Sequence, residues 1–383
     1  MLVSGFRRSG NVIMSLRPLL VRSLVGGAVG GVVAGAALPA ASGEIERFGR
    51  WIAACDNLRA CNAYAFDAHG DPGRSYIRLE RGGGADAALR ITLVAEAETG
   101  VTFTLAFDRP ALAGLPAGPL TGEVRGDDGK TRRLSLVEPQ AAASALASMR
   151  KAETIVITRI DPPGAPPSDP ARTEISLAGL DAALRWIDTQ QKRVDTVTAL
   201  VGRGDKPATA VPAAPAPPVV VAARATGPVP HETPADVVAE AGAVCADRRL
   251  GAAGEVVRLG ENDVVYAFDC ELGGAYNAFN ALIVATPGRP PRRADFVFPP
   301  EYAAAAARLW PIGGEFWPVN ASFDAATQTM STVIWGRGLG DCGFATDWVW
   351  DGQAFRLIRS QDMPDCRGVA QDDWPILWRA ERK

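Results

Sequence analysis

Apolar and polar positions alternate with a period of two along most of the chain, the pattern of strands that bury one face. RWIAACD (50–56) and ACNAYAF (60–66) are short apolar runs about the polar stretch NLRA, which predicts a hairpin. YIRLE (76–80), ALRITLVAEA (88–97) and VTFTLAF (101–107) continue as strands, with alternation clear at Ile91, Leu93, Val101, Phe103 and Leu105. TGEVR and TRRLSLV flank Asp127-Asp128-Gly129, where glycine supplies the positive φ of a tight turn. A helix over 139–152, strands TIVITRI (154–160) and RTEISL, and a helix over 178–197 follow. Leu180, Leu184, Ile187 and Val194 recur at helical spacing and predict that last helix's buried face, with Arg185, Asp188, Lys192 and Arg193 off it.

A second patterned region opens at Thr233-Pro234-Ala235-Asp236: Thr caps, Pro suits the first helical position and Asp the first turn, with the helix ending near Cys245. Strands are predicted for GEVVRLG, DVVYAFDC (263–270), YNAFNALIVA (276–285), ADFVF (294–298), FWPVNASFD (316–324) and QTMSTVIWG (328–336). DWVW (347–350) and AFRLIRS (354–360) form the clearest hairpin, about Asp351-Gly352. The lack of strand-helix-strand alternation argues against a dinucleotide-binding fold. Residues 202–232, rich in Ala and Pro and lacking either period, predict an extended linker. The fold class is therefore mainly β (α+β): two antiparallel β domains, 43–201 with two helices and 233–383 as a meander with an N-terminal helix.

Residues 1–42 carry Arg7, Arg8, Arg17 and Arg22, no acid, an apolar run from Leu24 to Leu38 and small residues at Ala40, Ala41 and Ser42. That is the layout of a secretory signal peptide, and a start at Met14 gives it the ordinary proportions. A bilayer-spanning helix needs roughly 20 apolar residues, so no stable membrane insertion is expected after cleavage. With 383 residues, 47% hydrophobic and 22% charged, the chain has the composition of a folded protein. The formal charge of -3, becoming -7 without the leader, offers no basic field for a phosphate backbone and argues against nucleic acid as a partner.

All six cysteines lie beyond the leader, and an even count in an exported chain reads as disulfides. The linker divides them into Cys55 and Cys61 on one side and Cys245, Cys270, Cys342 and Cys366 on the other. Cys55 then pairs with Cys61 by default. Cys245 with Cys270 and Cys342 with Cys366 is the most local of the connectivities open to the rest. Zinc on Cys55, Cys61 and His69 is disfavoured by the spacing and the compartment, and no cofactor is expected.

Catalytic motifs are sparse. GRGLGDCG (336–343) looks like a phosphate cradle but lacks the Lys-Ser/Thr ending and a following helix, so its glycines fit a bend carrying Cys342. Of the two histidines, His69 sits in the loop DAHGDPG and His231 in the linker, and no nucleophile elbow accompanies either. Trp310, Trp317, Trp335, Trp348, Trp350, Trp374 and Trp378 crowd the C-terminal part. They read first as core and cross-strand pairs, and secondarily as a sugar or peptide platform near Arg337, Arg367 and Arg379. Loops beside disulfides and glycines offer the candidate ligand-binding groups: Asp56, Asn57 and Arg59 in the first region, and Asn277, Arg337, Asp341 and Arg367 in the second. Turn and scaffold duty competes for each of them.

The runs FGRWIAACDNLRACNAYAF, CELGGAYNAF, GRGLGDCG, WVWDGQAF, MPDCRG and WPILWRA resemble the exported proteobacterial domain-of-unknown-function 1176 family over nearly the whole mature chain. The first region is also similar to the invasion-associated locus B family, through its Trp-x-x-x-Cys start, the small-residue helix before TIVIT, and SLAGLDAALRWI. The first resemblance implies a periplasmic or envelope protein with disulfides, and the second a link to host interaction and stress tolerance. The expectation is a periplasmic or secreted binding or interaction protein with an envelope or extracellular ligand or protein partner. An envelope hydrolase using paired carboxylates on glycan or peptide, and a secreted enzyme inhibitor, are the alternatives.

Overall fold

β-branched and aromatic residues on alternate positions are the reason so much of this chain is sheet. The computed structural model describes residues 43–67, 75–96, 99–115, 118–120, 123–125, 131–135, 139–166, 171–246, 249–271, 275–307 and 316–383. The expected signal peptide, His69, the Asp127-Asp128-Gly129 turn and Trp310 lie outside the described residues. The first half comprises β1 (Glu44–Phe48), β2 (Trp51–Cys55), β3 (Cys61–Phe66), β4 (Tyr76–Arg81), β5 (Leu89–Glu96), β6 (Thr102–Phe107), β7 (Glu123–Arg125) and β8 (Thr131–Ser135). Then come α1 (Pro139–Met149), β9 (Thr154–Ile160), β10 (Arg172–Ser176) and α2 (Leu180–Gln190). Seven strands form an antiparallel sheet in the order β1-β2-β3-β4-β5-β8-β7, and β10-β9-β6 form a second. Trp51, Ala63, Ile77 and Leu93 share a buried cluster with Phe103, Leu105 and Ile157 and with Leu180, Leu184 and Ile187 of α2. Each fully buried aliphatic side chain of this kind contributes about 1.5–3 kcal/mol.

The remaining elements are β11 (Val219–Val220), α3 (Ala235–Cys245), β12 (Arg249–Arg258), β13 (Val264–Glu271), β14 (Phe279–Ala285), β15 (Arg292–Arg293), β16 (Phe296–Val297) and α4 (Pro300–Ala307). They continue as β17 (Ser322–Asp324), β18 (Thr329–Trp335), β19 (Gly343–Trp350), β20 (Phe355–Met363), β21 (Ile376–Arg379) and β22 (Glu381–Arg382). One sheet runs β12-β13-β14-β15, the other β16-β20-β19-β18-β17 with β21 against β20. The fold class is mainly β, as the alternation predicts, with four α-helices among the described residues, one more than expected. The meander is not complete, because β16 pairs with β20 in parallel. β1 and α4 were not predicted: EIERF mixes charge with apolar residues, and EYAAAAA carries no amphipathic period.

Helix α2 ends at Gln190, seven residues earlier than its apolar spacing predicts. Lys192 and Asp195 take positive φ there, and Val194, expected inside, is 36% exposed. Asp188 and Arg193, expected outside, are fully buried. Asp188 accepts the N–H groups of Leu200 at 2.8 Å and Val201 at 2.9 Å, and Arg193 donates to Gln191 Oε1 and Thr198 Oγ1, both at 3.0 Å. The turn that follows α2 thus has its Leu200 and Val201 N–H groups satisfied by one buried carboxylate.

Among the described residues no sheet mixes strands of 43–201 with strands of 233–383, yet all of them belong to one compact unit. Ile52, Tyr64, Phe66, Tyr76 and Val94 share a buried cluster with Ala345, Met363, Val369 and Trp374. Asp373, 1% exposed, lies at the polar heart of this seam. Tyr76 Oη donates to Asp373 Oδ2 and Arg78 Nη1 to Oδ1, both at 2.5 Å, while Tyr64 Oη donates to the Asp373 carbonyl. The segment 202–232 divides between the halves: Lys206 exchanges main-chain bonds with Asp195 and Val197, a 3-10 turn lies at Ala208–Ala210, Ala214 lies beside Gly83, and the part from Val219 runs along the second half. β11 pairs in parallel with β22, and Ala222 and Ala223 donate their N–H groups to the carbonyls of Lys383 and Trp350.

Candidate functional site

Three disulfides join Cys55 to Cys61, Cys245 to Cys270 and Cys342 to Cys366, the most local pairing. They settle the metal question for two sets of residues. Cys55 and Cys61 share a bridge and are not free thiolates, and the same holds where Cys342 and Cys366 lie within 4.8 Å of an Asp341 oxygen.

Of the polar loop residues expected to meet a ligand, several are consumed by the scaffold. Asp56 Oδ1 accepts the N–H groups of Leu58 and Ala60 at 2.8 Å, and its Oδ2 lies 2.6 Å from Arg379 Nε. Asn57 mimics a strand neighbour, donating to the Arg379 carbonyl and accepting from the Arg379 N–H at 2.9 Å. These two residues fasten the first disulfide hairpin to β21. Arg59 takes φ 60° in the same turn, and its carbonyl accepts from Gln191 Nε2 at 3.0 Å. Asn277 holds both main-chain groups of Trp335 at 3.0 Å. The aromatic platform meets the same objection, because Trp348, Trp350, Trp374 and Trp378 are all buried core.

Arg337, Asp341 and Arg367 are brought together. Arg337 grips Asp341 through Nε at 2.7 Å and Nη2 at 2.5 Å, and its Nη2 also reaches the Cys366 carbonyl at 3.2 Å. Asp341 Oδ2 accepts the Gly368 N–H at 2.7 Å. The residues on both sides of Arg367 are thus held by one ion pair, while Cys366 is also tied to Cys342. Burial pushes the Asp341 carboxyl up, but the Arg337 bond and the Gly368 amide outweigh it and leave its pKa below the ordinary value. Arg337 and Asp341 therefore fix the backbone on either side of Arg367.

Arg367 lines a cleft of about 260 Å³ where the two halves meet, with Arg47, Gly49, Arg50, Trp51, Ile52, Phe66, Asp67 and Asp365. Arg47 is paired with Asp365 at 2.9 Å, and Asp67 is also engaged. The Arg50 and Arg367 side chains have no hydrogen-bond or ion-pair partner among the described residues. Arg50 sits on the β1–β2 turn, which is pinned by the Arg50 N–H to the Ala178 carbonyl at 3.2 Å. Gly179, at φ 99°, is required there, since a Cβ would fall 1.9 Å from the Phe48 carbonyl oxygen. Two guanidinium groups on anchored backbones, from opposite halves and unpaired among the described residues, line one cleft with Ile52 and Phe66.

The sequence pointed to Arg367 through its neighbouring cysteine but not to Arg47 or Arg50. FGRW held the missed signal, a Gly-Arg turn between two apolar-patterned stretches.

A disulfide-braced, mainly β protein of two halves with a basic cleft at their seam is the class these observations define. The chain belongs to the DUF1176 family, whose model, described as a protein of unknown function, matches residues 45–381. It is 34% identical over 217 residues to the uncharacterized protein YpfG of Escherichia coli (strain K12). That match covers 53% of this chain and 59% of YpfG, so the chain spans less than two thirds of that relative's length. No solved structure matches it.

Proposed function

We propose that this is a periplasmic or secreted binding protein that captures an envelope or extracellular ligand in the cleft of Arg47, Arg50 and Arg367. One observation carries the reading: Asp56, Asn57, Asn277, Arg337 and Asp341 are occupied by the scaffold, whereas Arg50 and Arg367 line a cleft with no partner among the described residues. Three disulfides support an oxidising compartment, and the leader-like pattern of residues 1–42 supports export. No described helix is long and apolar enough to cross a membrane. The likeness of the first half to the invasion-associated locus B family favours a role in envelope stress or host interaction.

The test is a thermal-shift screen of acidic and neutral small molecules from the bacterial envelope against the oxidised protein and Arg367→Glu. A ligand at about 100 times its Kd stabilises by about 2.7 kcal/mol, an upshift of about 4 °C at this size. The reading requires an upshift that Arg367→Glu removes. It fails if no compound shifts the wild type, or if the variant responds equally.

A second reading, the envelope hydrolase, is favoured by one observation. Burial raises the Asp362 carboxyl to about 7 against the opposing Arg47, which keeps a protonated acid available near neutral pH close to the cleft residue Arg47. Turnover of cell-wall glycan or peptide that disappears in Asp362→Asn decides for the hydrolase. Absence of turnover in the wild type decides against it.

A further inference from the structure

Resting on the binding reading, we infer that the ligand of the seam cleft is a small organic oxyanion, a compact molecule bearing carboxylate or phosphate groups, clamped between Arg50 and Arg367. The local charge balance is the first support. Three arginines and two aspartates line the cleft, with Asp365 committed to Arg47 at 2.9 Å and Asp67 also engaged. Among the described residues one positive charge is left over, and the Arg50 and Arg367 guanidinium groups have no hydrogen-bond or ion-pair partner.

The chemistry of the donors is the second. A guanidinium presents five N–H groups in a planar fork that matches two oxygens of a carboxylate or phosphate. A neutral sugar entering the same space strips water from two charges and returns no counter-charge, which is unfavourable. Size narrows the guest further. At about 260 Å³ the cleft falls just below the range of drug-sized sites. It fits a short dicarboxylate or a phosphate monoester rather than a polymer chain.

Positioning is the third. Arg367 is flanked by a disulfide-bonded Cys366, whose carbonyl accepts from Arg337, and by Gly368, whose amide donates to Asp341. Arg50 sits on a turn anchored to Ala178. Backbones fixed this way reduce the ordering cost of binding, and they hold the two arginines on opposite halves at a set separation.

The test uses the full oxidised chain in isothermal titration at low ionic strength, with inorganic phosphate, succinate and glucose as probes, and Arg50→Gln, Arg367→Gln and the double variant alongside. At least one anion is expected to bind at one equivalent, about tenfold weaker in each single variant and undetectably in the double, with near-ultraviolet dichroism unchanged. Phosphate against succinate distinguishes the two sources of the oxyanion. Failure of both anions at millimolar concentration, or anion binding that survives in the double variant, overturns the inference. Glucose binding that survives in the double variant also overturns it, while leaving the binding reading standing; an empty result here together with an empty thermal-shift screen removes both.

Discussion

Replacing Asp373 by Ala tests whether the two halves are joined by the polar seam as well as by apolar burial. The carboxylate is 1% exposed and accepts from Tyr76 Oη and Arg78 Nη1 at 2.5 Å. Burial and Asp373 hold the Tyr76 hydroxyl well above its ordinary pKa, so it stays a donor across the accessible pH range. Losing the carboxylate strands a buried hydroxyl and half of a buried guanidinium. Breaking one side of a buried ion pair costs about 3–5 kcal/mol, but Arg78 keeps Glu80 as a second partner, so about 3 kcal/mol is expected. Tyr76→Phe removes a single bond to a charged acceptor, about 1.5–3 kcal/mol. Because both changes break the same contact, the double variant should fall short of additivity by about 1 kcal/mol or more. Urea unfolding of the oxidised protein, followed by near-ultraviolet dichroism of the seam tryptophan Trp374, measures all three. A cost below about 1 kcal/mol for Asp373→Ala, or strict additivity, would refute the reasoning.

Asp362 should make stability fall with rising pH. Its native pKa is raised to about 7, chiefly by burial, against about 4 in the unfolded chain. Its stabilising share is complete below pH 4 and is lost between pH 4 and 7. The span is at most about 4 kcal/mol and nearer 2–3 after screening by water at its exposed edge; Asp362→Asn should flatten that slope, and an unchanged slope counts against it. Gly179→Ala should cost about 2 kcal/mol or more, because φ is 99° and the new Cβ meets the Phe48 carbonyl; chemical denaturation showing no loss contradicts the turn geometry. Asp341→Asn should weaken anion binding in calorimetry by freeing the Arg367 loop, and Asp263→Asn, whose partners Thr286 and Trp350 lie toward the far end of β19 from Gly343, should lower the melting temperature and leave affinity intact. Equal affinity losses in the two would deny Asp341 its positioning role.

Strand positions were largely legible because period-two burial is local: the Asp351-Gly352 hairpin appears as predicted, with β19 and β20 on either side. Local pattern failed where distant partners decide. Asp188 and Arg193 looked like solvent-facing helix residues, and only the buried amides of 200–202 and the acceptors around 84 and 85 explain why they are inside. The composition of 202–232 gave no sign of where it docks, which depends on main-chain bonds to Asp195 and Val197 at one end and on a two-residue pairing with the far C-terminus at the other. For the site, the sequence grouped polar residues with disulfides, a rule that captured Arg367 and its supports Arg337 and Asp341. The same rule also selected Asp56, Asn57 and Asn277, whose partners lie up to 322 positions away. It passed over Arg47 and Arg50, because only the docking of β1 against the second half makes their turn one wall of a cleft.

Native mass spectrometry of the protein gently isolated from the bacterial envelope tests the central claim most directly, with the Arg50→Gln/Arg367→Gln variant prepared in parallel. The account predicts a wild-type population carrying one additional small acidic mass, released on mild activation and absent from the variant. Wild type and variant carrying the same added mass, or a wild type that stays bare after every acidic envelope metabolite is supplied, would contradict it.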